Sequence, residues 1–200
     1  MPAHRVARAL GMTAPIVAAG LVLAGGRMTP GYDPLTRTIS RLAEPGLPGA
    51  LAVELAIGLV GVALLALSIV LGSGSWPGRA LLAVAGVALL VAAVIRLDPS
   101  SASATTAHRV ATLIAMLALA GAPFAFARYG RVSVAVGLAE VGMLLVGLAL
   151  LPTTFAAWGA WERCFLALPM AWMAWVAWTR SASMEDTMKA AAASHSSSGS

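Results

Sequence analysis

An apolar run fills positions 49–72 of the chain and reads GALAVELAIGLVGVALLALSIVLG, with Glu54 as its single charged residue. A helix needs about 20 mostly apolar residues to cross the hydrocarbon of a bilayer. Because lipid offers the peptide groups no hydrogen-bonding partner, a segment that crosses it must satisfy its backbone internally. The run therefore predicts a transmembrane α-helix.

Five further runs have the same character, and they occupy residues 9–26, 79–97, 107–127, 132–151 and 160–179. Apolar residues make up 60% of the chain and charged residues 10%, against about 25% charged in a soluble domain. This composition excludes a soluble enzyme. We predict an all-α polytopic membrane protein, a six-transmembrane-helix bundle over residues 1–180, with the first run a retained helix rather than a signal peptide. The small, polar residues of 181–200 predict a disordered cytoplasmic tail.

The charged residues predict the orientation of the protein in the membrane and argue against one class of partner. The formal net charge is +5, and seven of the 13 Lys and Arg residues fall, in short segments, on the side that six spans give to both termini. The positive-inside rule then predicts an inner-membrane protein with cytoplasmic termini. The arginines are scattered at the ends of apolar runs, which argues against nucleic acid. Cys164 is the single cysteine and no heme or zinc motif occurs, so we expect no disulfide, metal or cofactor.

The loop after the first span, on the predicted outer face, has the pattern of a short amphipathic helix. Asp33 followed by Pro34 is typical of a helix start. Apolar residues then recur at helical spacing, while the opposite face is polar. The apolar positions are Leu35, Ile39 and Leu42, and the polar ones are Thr36, Arg37, Ser40, Arg41 and Glu44. The helix is interpreted either as a strut that covers the ends of the spans or as an element that contacts a ligand.

A second outer segment joins the third and fourth spans and carries Asp98 and His108. The short connection brings the end of one helix beside the start of the next, so we expect the two side chains to be close enough to hydrogen-bond. A carboxylate can orient an imidazole for acid/base chemistry, with Ser40 as the nucleophile of a catalytic group. The alternative is a structural clamp between two helices.

Arginines gather on the same predicted face, where the positive-inside rule disfavours them. Arg163 follows Glu162 at the start of the last span, where the helix dipole favours the acid and not the base. Since guanidinium groups bind phosphate bidentately, the cluster predicts a site for an anionic lipid headgroup. The predicted ligand-binding residues are Arg37, Arg41, Arg109, Glu162 and Arg163. The alternative is a salt-bridge network that closes the bundle.

Two acids lie within predicted spans. Glu54 is near the start of the second span, where it reaches towards the outer face, and Glu140 is near the middle of the fifth. An ionised carboxylate is costly in hydrocarbon, so such residues are usually functional or paired. Both interpretations stay open for Glu140.

Several short motifs on the predicted outer face occur in a familiar order. Tyr32-Asp33-Pro34 precedes Thr38-Ile39-Ser40-Arg41-Leu42. Arg96-Leu97-Asp98 leads through Thr105-Thr106 to His108, and Gly159 precedes Glu162-Arg163. This order resembles domain of unknown function 998, a family of prokaryotic multi-helix membrane proteins, over roughly residues 10–180. The resemblance implies a multi-helix membrane fold and places Ser40, Asp98, His108, Glu162 and Arg163 at motif positions, without implying a reaction.

Three functions are compatible with these features. The first is a protein that binds membrane lipids, through anionic headgroups, or a membrane partner such as another protein or a second copy of this chain. The second is a small membrane-embedded lipid hydrolase or transferase that uses His108 and Asp98. The third is a proton-coupled transporter that uses Glu140.

Overall fold

Six long helices and one short one make up the described part of the protein. The structure, a computed structural model, describes residues 2–71 and 75–197, with side chains for 5–71, 75–128 and 130–179. The helices are α1 (Pro2–Met28), α2 (Ile39–Leu42), α3 (Ala50–Val70), α4 (Trp76–Val94), α5 (Ala102–Ala125), α6 (Arg131–Leu150) and α7 (Trp158–Ser197), with a 3-10 turn at Ala127–Tyr129. The described residues contain no strand, so the all-α prediction is confirmed.

Five helices are long and apolar enough to cross a membrane, namely Arg5–Met28 of α1 and the whole of α3, α4, α5 and α6. They coincide with the first five predicted spans and indicate a membrane protein. The sixth predicted span, 160–179, is helical as part of α7 but is not among those five. Its apolarity is lower because it contains Glu162, Arg163 and four tryptophans.

The long helices form a closed ring. Each packs against its neighbours in the chain, and α7 returns to contact α1. Small residues allow close approach, as where a Cβ on Gly61 would lie 2.9 Å from the carbonyl oxygen of Gly86. We call the end of the ring that carries the loop 29–49 the loop end, and the opposite end, where α1 begins, the terminal end.

Serine side chains cap two of the helices. Ser75 accepts a hydrogen bond from the Gly78 N–H at the start of α4, and its hydroxyl donates to the Ala125 carbonyl 2.7 Å away. Ser101 accepts from the Ala104 N–H at the start of α5. Such caps satisfy N–H groups that have no partner within the helix. They therefore fix where α4 and α5 begin.

The apolar core occupies the half of the ring nearer the terminal end. Its largest fully buried side chains are Leu64, Leu67, Leu82, Phe126 and Met173. A smaller buried cluster at the loop end joins Leu42 and Ala43 to Val53 of α3. The loop end is thus less densely filled by apolar side chains, and polar groups gather there.

The predicted amphipathic helix of the first loop is replaced by a turn and the four residues of α2. The Asp33 carboxylate accepts from the Leu35 N–H (3.0 Å) and the Thr36 hydroxyl (2.9 Å), and these bonds lower the pKa of Asp33 below its ordinary value. Asp33 therefore closes a turn rather than capping a helix. Leu35 is exposed, whereas Leu42 is buried against Val53, so the apolar stripe does not form one helical face.

The predicted disordered tail, residues 181–200, lies outside the residues whose side chains the structure describes. The backbone of α7 is helical as far as Ser197. Disorder in this segment remains a prediction from composition.

Candidate functional site

Arg163, in the first turn of α7, binds the backbone of the first loop. Its Nη1 donates to the carbonyl oxygens of Pro34 (2.7 Å) and Arg37 (3.2 Å), and to that of Gly159 (2.8 Å) in its own helix. The guanidinium thus binds two loop carbonyls, those of Pro34 and Arg37, that lie outside any helix. We call loop residues 32–40, together with Glu162 and Arg163, the clasp.

Tyr32 completes the environment of this guanidinium. Nη2 of Arg163 donates to the Tyr32 hydroxyl, and the guanidinium carbon lies 5.7 Å from the centroid of the tyrosine ring. The phenol proton in turn points to the carbonyls of Arg37 (3.1 Å) and Thr38 (3.2 Å). Burial raises the pKa of Tyr32 above its ordinary value, although the hydrogen bond and charge of Arg163 oppose that shift.

Glu162 holds the other end of the loop segment. Its carboxylate accepts from the Ile39 N–H, the first of α2, and lies 3.5 Å from the Ser40 hydroxyl. A carboxylate beside the N–H groups that begin a helix is electrostatically favourable. Consecutive residues of α7 therefore bind opposite kinds of backbone group, Arg163 the carbonyls and Glu162 an N–H.

The backbone of α7 approaches the loop closely at Gly159. A Cβ added there would lie 2.3 Å from the Arg37 carbonyl oxygen and 2.5 Å from that of Pro34. The neighbouring Ala160 N–H donates to the Leu35 carbonyl at 2.9 Å. Only a residue without a side chain fits this contact, which explains the glycine three positions before Glu162.

A small cavity of about 60 Å³ lies beneath the clasp, inside the ring. Polar groups from Ser40, Thr112 and Glu162 reach it, and Met116 and Leu119 are among its apolar lining residues. This volume holds a few water molecules. It is far smaller than the several hundred Å³ of a usual ligand pocket, so no lipid headgroup fits inside the ring at this point.

His108 is buried in α5 and bonded to the end of α4. Its Nδ1 lies 2.8 Å from the Ile95 carbonyl oxygen and 3.1 Å from that of Ala92. A carbonyl only accepts, so Nδ1 carries the proton. Nε2 is buried and has no hydrogen-bond partner among the described residues. This is the arrangement of a clamp between helices, one of the two alternatives that the sequence left open.

The expected contact between Asp98 and His108 is not formed. The Asp98 carboxylate is exposed and accepts from both the N–H and the hydroxyl of Ser100, and the hydroxyl bond is the main reason that its pKa is lowered. Ser40 faces Glu162 instead of His108. A serine nucleophile activated by an oriented histidine needs direct hydrogen bonds between these groups, so the three residues do not form a catalytic group here.

The arginines of the loop end have different surroundings and do not share one site. Arg41 pairs with Glu44 at 2.9 Å. Arg96 pairs with Glu54, which places the first of the two intramembrane acids in an ion pair with two N···O distances of 2.8 Å. Arg163 is held by carbonyls rather than by an acid.

Arg37 and Arg109 are exposed and form no ion pair within the described part of the chain. They are the two predicted ligand-binding residues whose charge is still available to a ligand.

An open groove of about 640 Å³ runs along α4 and α5. Val91, Ala107 and Val110 are among its apolar lining residues, and Ser103 and Thr106 contribute hydroxyl groups. Arg109 does not line the groove itself, but it is seven residues after Ala102, another lining residue, and positions i and i+7 share a helix face, so it lies at the edge. No sequence pattern distinguishes this groove, because its lining consists of small residues that are common in any membrane helix.

Two groups of the motifs that carried the resemblance, those of the first loop and those of α7, meet in the clasp. Tyr32-Asp33-Pro34 and Ser40 from the first loop contact Gly159, Glu162 and Arg163 of α7 either directly or through one shared partner. No curated protein and no solved structure matches the chain. The family described as protein of unknown function (DUF998) matches residues 12–179. That match covers more than four fifths of the sequence, and the chain belongs to the DUF998 family.

Proposed function

We propose that the protein binds an anionic phospholipid at its loop end, in the groove between α4 and α5, and that it does so as a six-span inner-membrane protein with cytoplasmic termini. The groove beside an exposed, unpaired Arg109 is the observation that carries this proposal. Residues 160–179 of α7 serve as the sixth span, since α7 packs against both α6 and α1 and completes the ring.

The chemistry of the groove suits a phospholipid. Its apolar floor can contact an acyl chain, and the Ser103 and Thr106 hydroxyls can hydrogen-bond the polar part of a lipid. Arg109 at the edge can bind the phosphate through two parallel hydrogen bonds. An arginine at the membrane surface contributes about 1 kcal/mol to binding of anionic lipid, or about fivefold in affinity.

Native mass spectrometry on protein equilibrated with phosphatidylglycerol and phosphatidylethanolamine tests the proposal. We expect wild type to retain phosphatidylglycerol preferentially, and R109Q to lose about fivefold of that preference. Arg37→Gln is the matched control, because Arg37 is also exposed and outside any ion pair among the described residues but lies in the first loop, not on either helix of the groove. Ala107→Phe fills the groove without changing charge and should weaken retention of both lipids.

Equal losses in the two arginine variants would show attraction to charge in general and would contradict a site in the groove. Unchanged retention in R109Q and A107F would contradict lipid binding there altogether. The proposed orientation has its own test: a fluorescent protein fused to the C-terminus should fold and fluoresce in the cytoplasm, whereas alkaline phosphatase at the same position should be inactive.

A further inference from the structure

Glu140 is the one acid in the described part of the chain whose carboxyl group is fully buried without a partner. Its side chain is 0% exposed, and neither carboxyl oxygen has a hydrogen-bond partner. It lies in α6 on the same buried face as Ser133, Gly137 and Gly147. Neither the groove proposed to bind lipid nor the clasp includes Glu140, so the role of this residue is independent of the proposed function.

Three contacts establish which parts of α5 and α7 lie level with Glu140. Gly137 packs against Phe124 of α5. On the other side, Trp161 donates to the Met143 carbonyl and Trp172 donates to the Ser133 hydroxyl. Because the neighbouring helices are antiparallel to α6, Glu140 lies level with residues near 121 of α5 and near 164–165 of α7.

The charged and titratable side chains around α6 are either distant from Glu140 or bound to other groups. On α5 they are more than ten residues away, a separation of roughly 18 Å along the helix. On α7, Glu162 and Arg163 bind the first loop, and Cys164 is exposed. At the terminal end, Arg128 and Arg131 are nine or more residues from Glu140, a separation of roughly 13 Å or more along the helix. The full set is His108, Arg109, Arg128, Arg131, Glu162, Arg163 and Cys164.

The backbone near this level offers hydrogen-bond acceptors. Pro123 lies inside α5 and Pro169 inside α7. A proline has no N–H, so the carbonyl four residues earlier lacks its helical donor. These carbonyls belong to Leu119 and Phe165, each within about a turn of the level of Glu140. A carboxylic acid can donate a proton to such a carbonyl, whereas a carboxylate is repelled by it.

We propose that Glu140 is a proton-binding site within the membrane, with the proton as its ligand, at the level of the proline-freed carbonyls of α5 and α7. An isolated carboxylate in an apolar interior costs far more free energy than the neutral acid, and no cation is placed to compensate it. Binding a proton is therefore the way in which this side chain can be buried.

Infrared spectroscopy of the full chain in nanodiscs tests this directly. At neutral pH we expect the wild-type spectrum to contain the C=O stretching band of a protonated carboxyl group, shifted in D2O if the proton exchanges. Glu140→Gln should lose that band. Glu54→Gln is the matched control, since Glu54 is paired with Arg96 and should contribute only carboxylate bands.

Thermal unfolding shows whether the Glu140→Gln variant is as stably folded as wild type, so that loss of the band can be assigned to the missing carboxyl group. Gln is close in shape and polarity to a neutral Glu, so E140Q should unfold at the wild-type temperature. A wild-type spectrum without a protonated-carboxyl band, or one in which E140Q leaves that band unchanged, would overturn the proposal. So would loss of carboxylate bands in E140Q together with marked destabilisation, because this would mean that Glu140 is ionised and paired.

Discussion

Arg163 donates a hydrogen bond to the hydroxyl of Tyr32, which precedes it in the chain by 131 positions. The contact ties the first loop to the last long helix, where α7 also packs against α1 and closes the ring. The same guanidinium donates to the carbonyls of Pro34 and Arg37. Its loss would remove the side-chain donor that connects α7 to the Pro34 carbonyl, the Arg37 carbonyl and the Tyr32 hydroxyl at once.

Replacement of Arg163 by lysine should therefore destabilise the protein although the charge is kept. A lysine ammonium cannot reach Tyr32 and the loop carbonyls with the fixed geometry of a guanidinium. We expect a loss of about 2 kcal/mol in the free energy of unfolding, the scale of a hydrogen bond to a charged group. Chemical unfolding in detergent micelles measures it.

Arg37→Lys is the control for that variant, because the Arg37 side chain is exposed and its carbonyl, not its guanidinium, belongs to the clasp. It should change stability by no more than about 0.5 kcal/mol. Equal effects of the two substitutions would mean that the bonds from Arg163 to the loop contribute nothing specific.

Gly159→Ala tests the close approach of α7 to the loop. The added methyl group would meet the backbone oxygens of Arg37 and Pro34 at 2.3 and 2.5 Å, and neither can move without displacing the loop. We expect about 1–3 kcal/mol of destabilisation, as for other overpacked positions, and faster proteolysis within residues 32–40.

Gly142→Ala provides the comparison, since a Cβ at that position of α6 meets nothing within 4 Å. In a helix interior, alanine is favoured over glycine by about 1 kcal/mol, so this variant should be as stable as wild type or more stable. Equal stabilities of the two alanine variants would contradict the close contact between Gly159 and the first loop.

The sequence was sufficient to predict the helices because hydrophobicity is a local property. Runs of about 20 apolar residues identify a span without knowledge of its neighbours, and five of the predicted spans coincide with helices long and apolar enough to cross a membrane. The first loop was harder. Its spacing of Leu35, Ile39 and Leu42 fits a helix, but Asp33 closes a turn and Glu162 supplies a distant carboxylate at Ile39, so only four residues become helical.

The site could be predicted only as a set of residues. Glu162 and Arg163 were predicted as ligand-binding residues, and the partners expected for Arg163 were acids or phosphate. Its actual partners are carbonyls, which every residue carries and which no sequence pattern distinguishes. The same holds for His108, whose Nδ1 is bonded to backbone carbonyls rather than to Asp98. Polar side chains in a tightly packed bundle often satisfy backbone groups at loops and helix ends, and such contacts depend on the fold.

The ion pair of Glu54 and Arg96 should contribute measurably to stability. It connects the first turns of α3 to the segment after α4, with Glu54 only 12% exposed and Arg96 44% exposed. A double-mutant cycle of E54Q and R96Q should give a coupling energy of about 1–2 kcal/mol. The Arg41 and Glu44 pair is the control, since its partners are three residues apart in one segment and somewhat more exposed, at 50% and 22%, and it should give no more than about 0.5 kcal/mol. Equal coupling energies would show that burial does not strengthen the first pair.

Tyr32 should make the stability of the clasp sensitive to alkaline pH. Burial raises its pKa above the ordinary value of 10.0, so its contribution to folding is fully present below pH 10 and is lost as the pH rises through the folded-state pKa. The chain has two tyrosines, and the difference in tyrosinate absorbance between wild type and Tyr32→Phe isolates this one. We expect its titration above pH 10 in the folded protein and near pH 10 after denaturation. Because the Arg163 charge lowers the pKa of Tyr32, R163Q should move the titration of Tyr32 to still higher pH. Titration of Tyr32 at or below pH 10 in the folded protein would contradict a buried phenol that is hydrogen-bonded to backbone carbonyls.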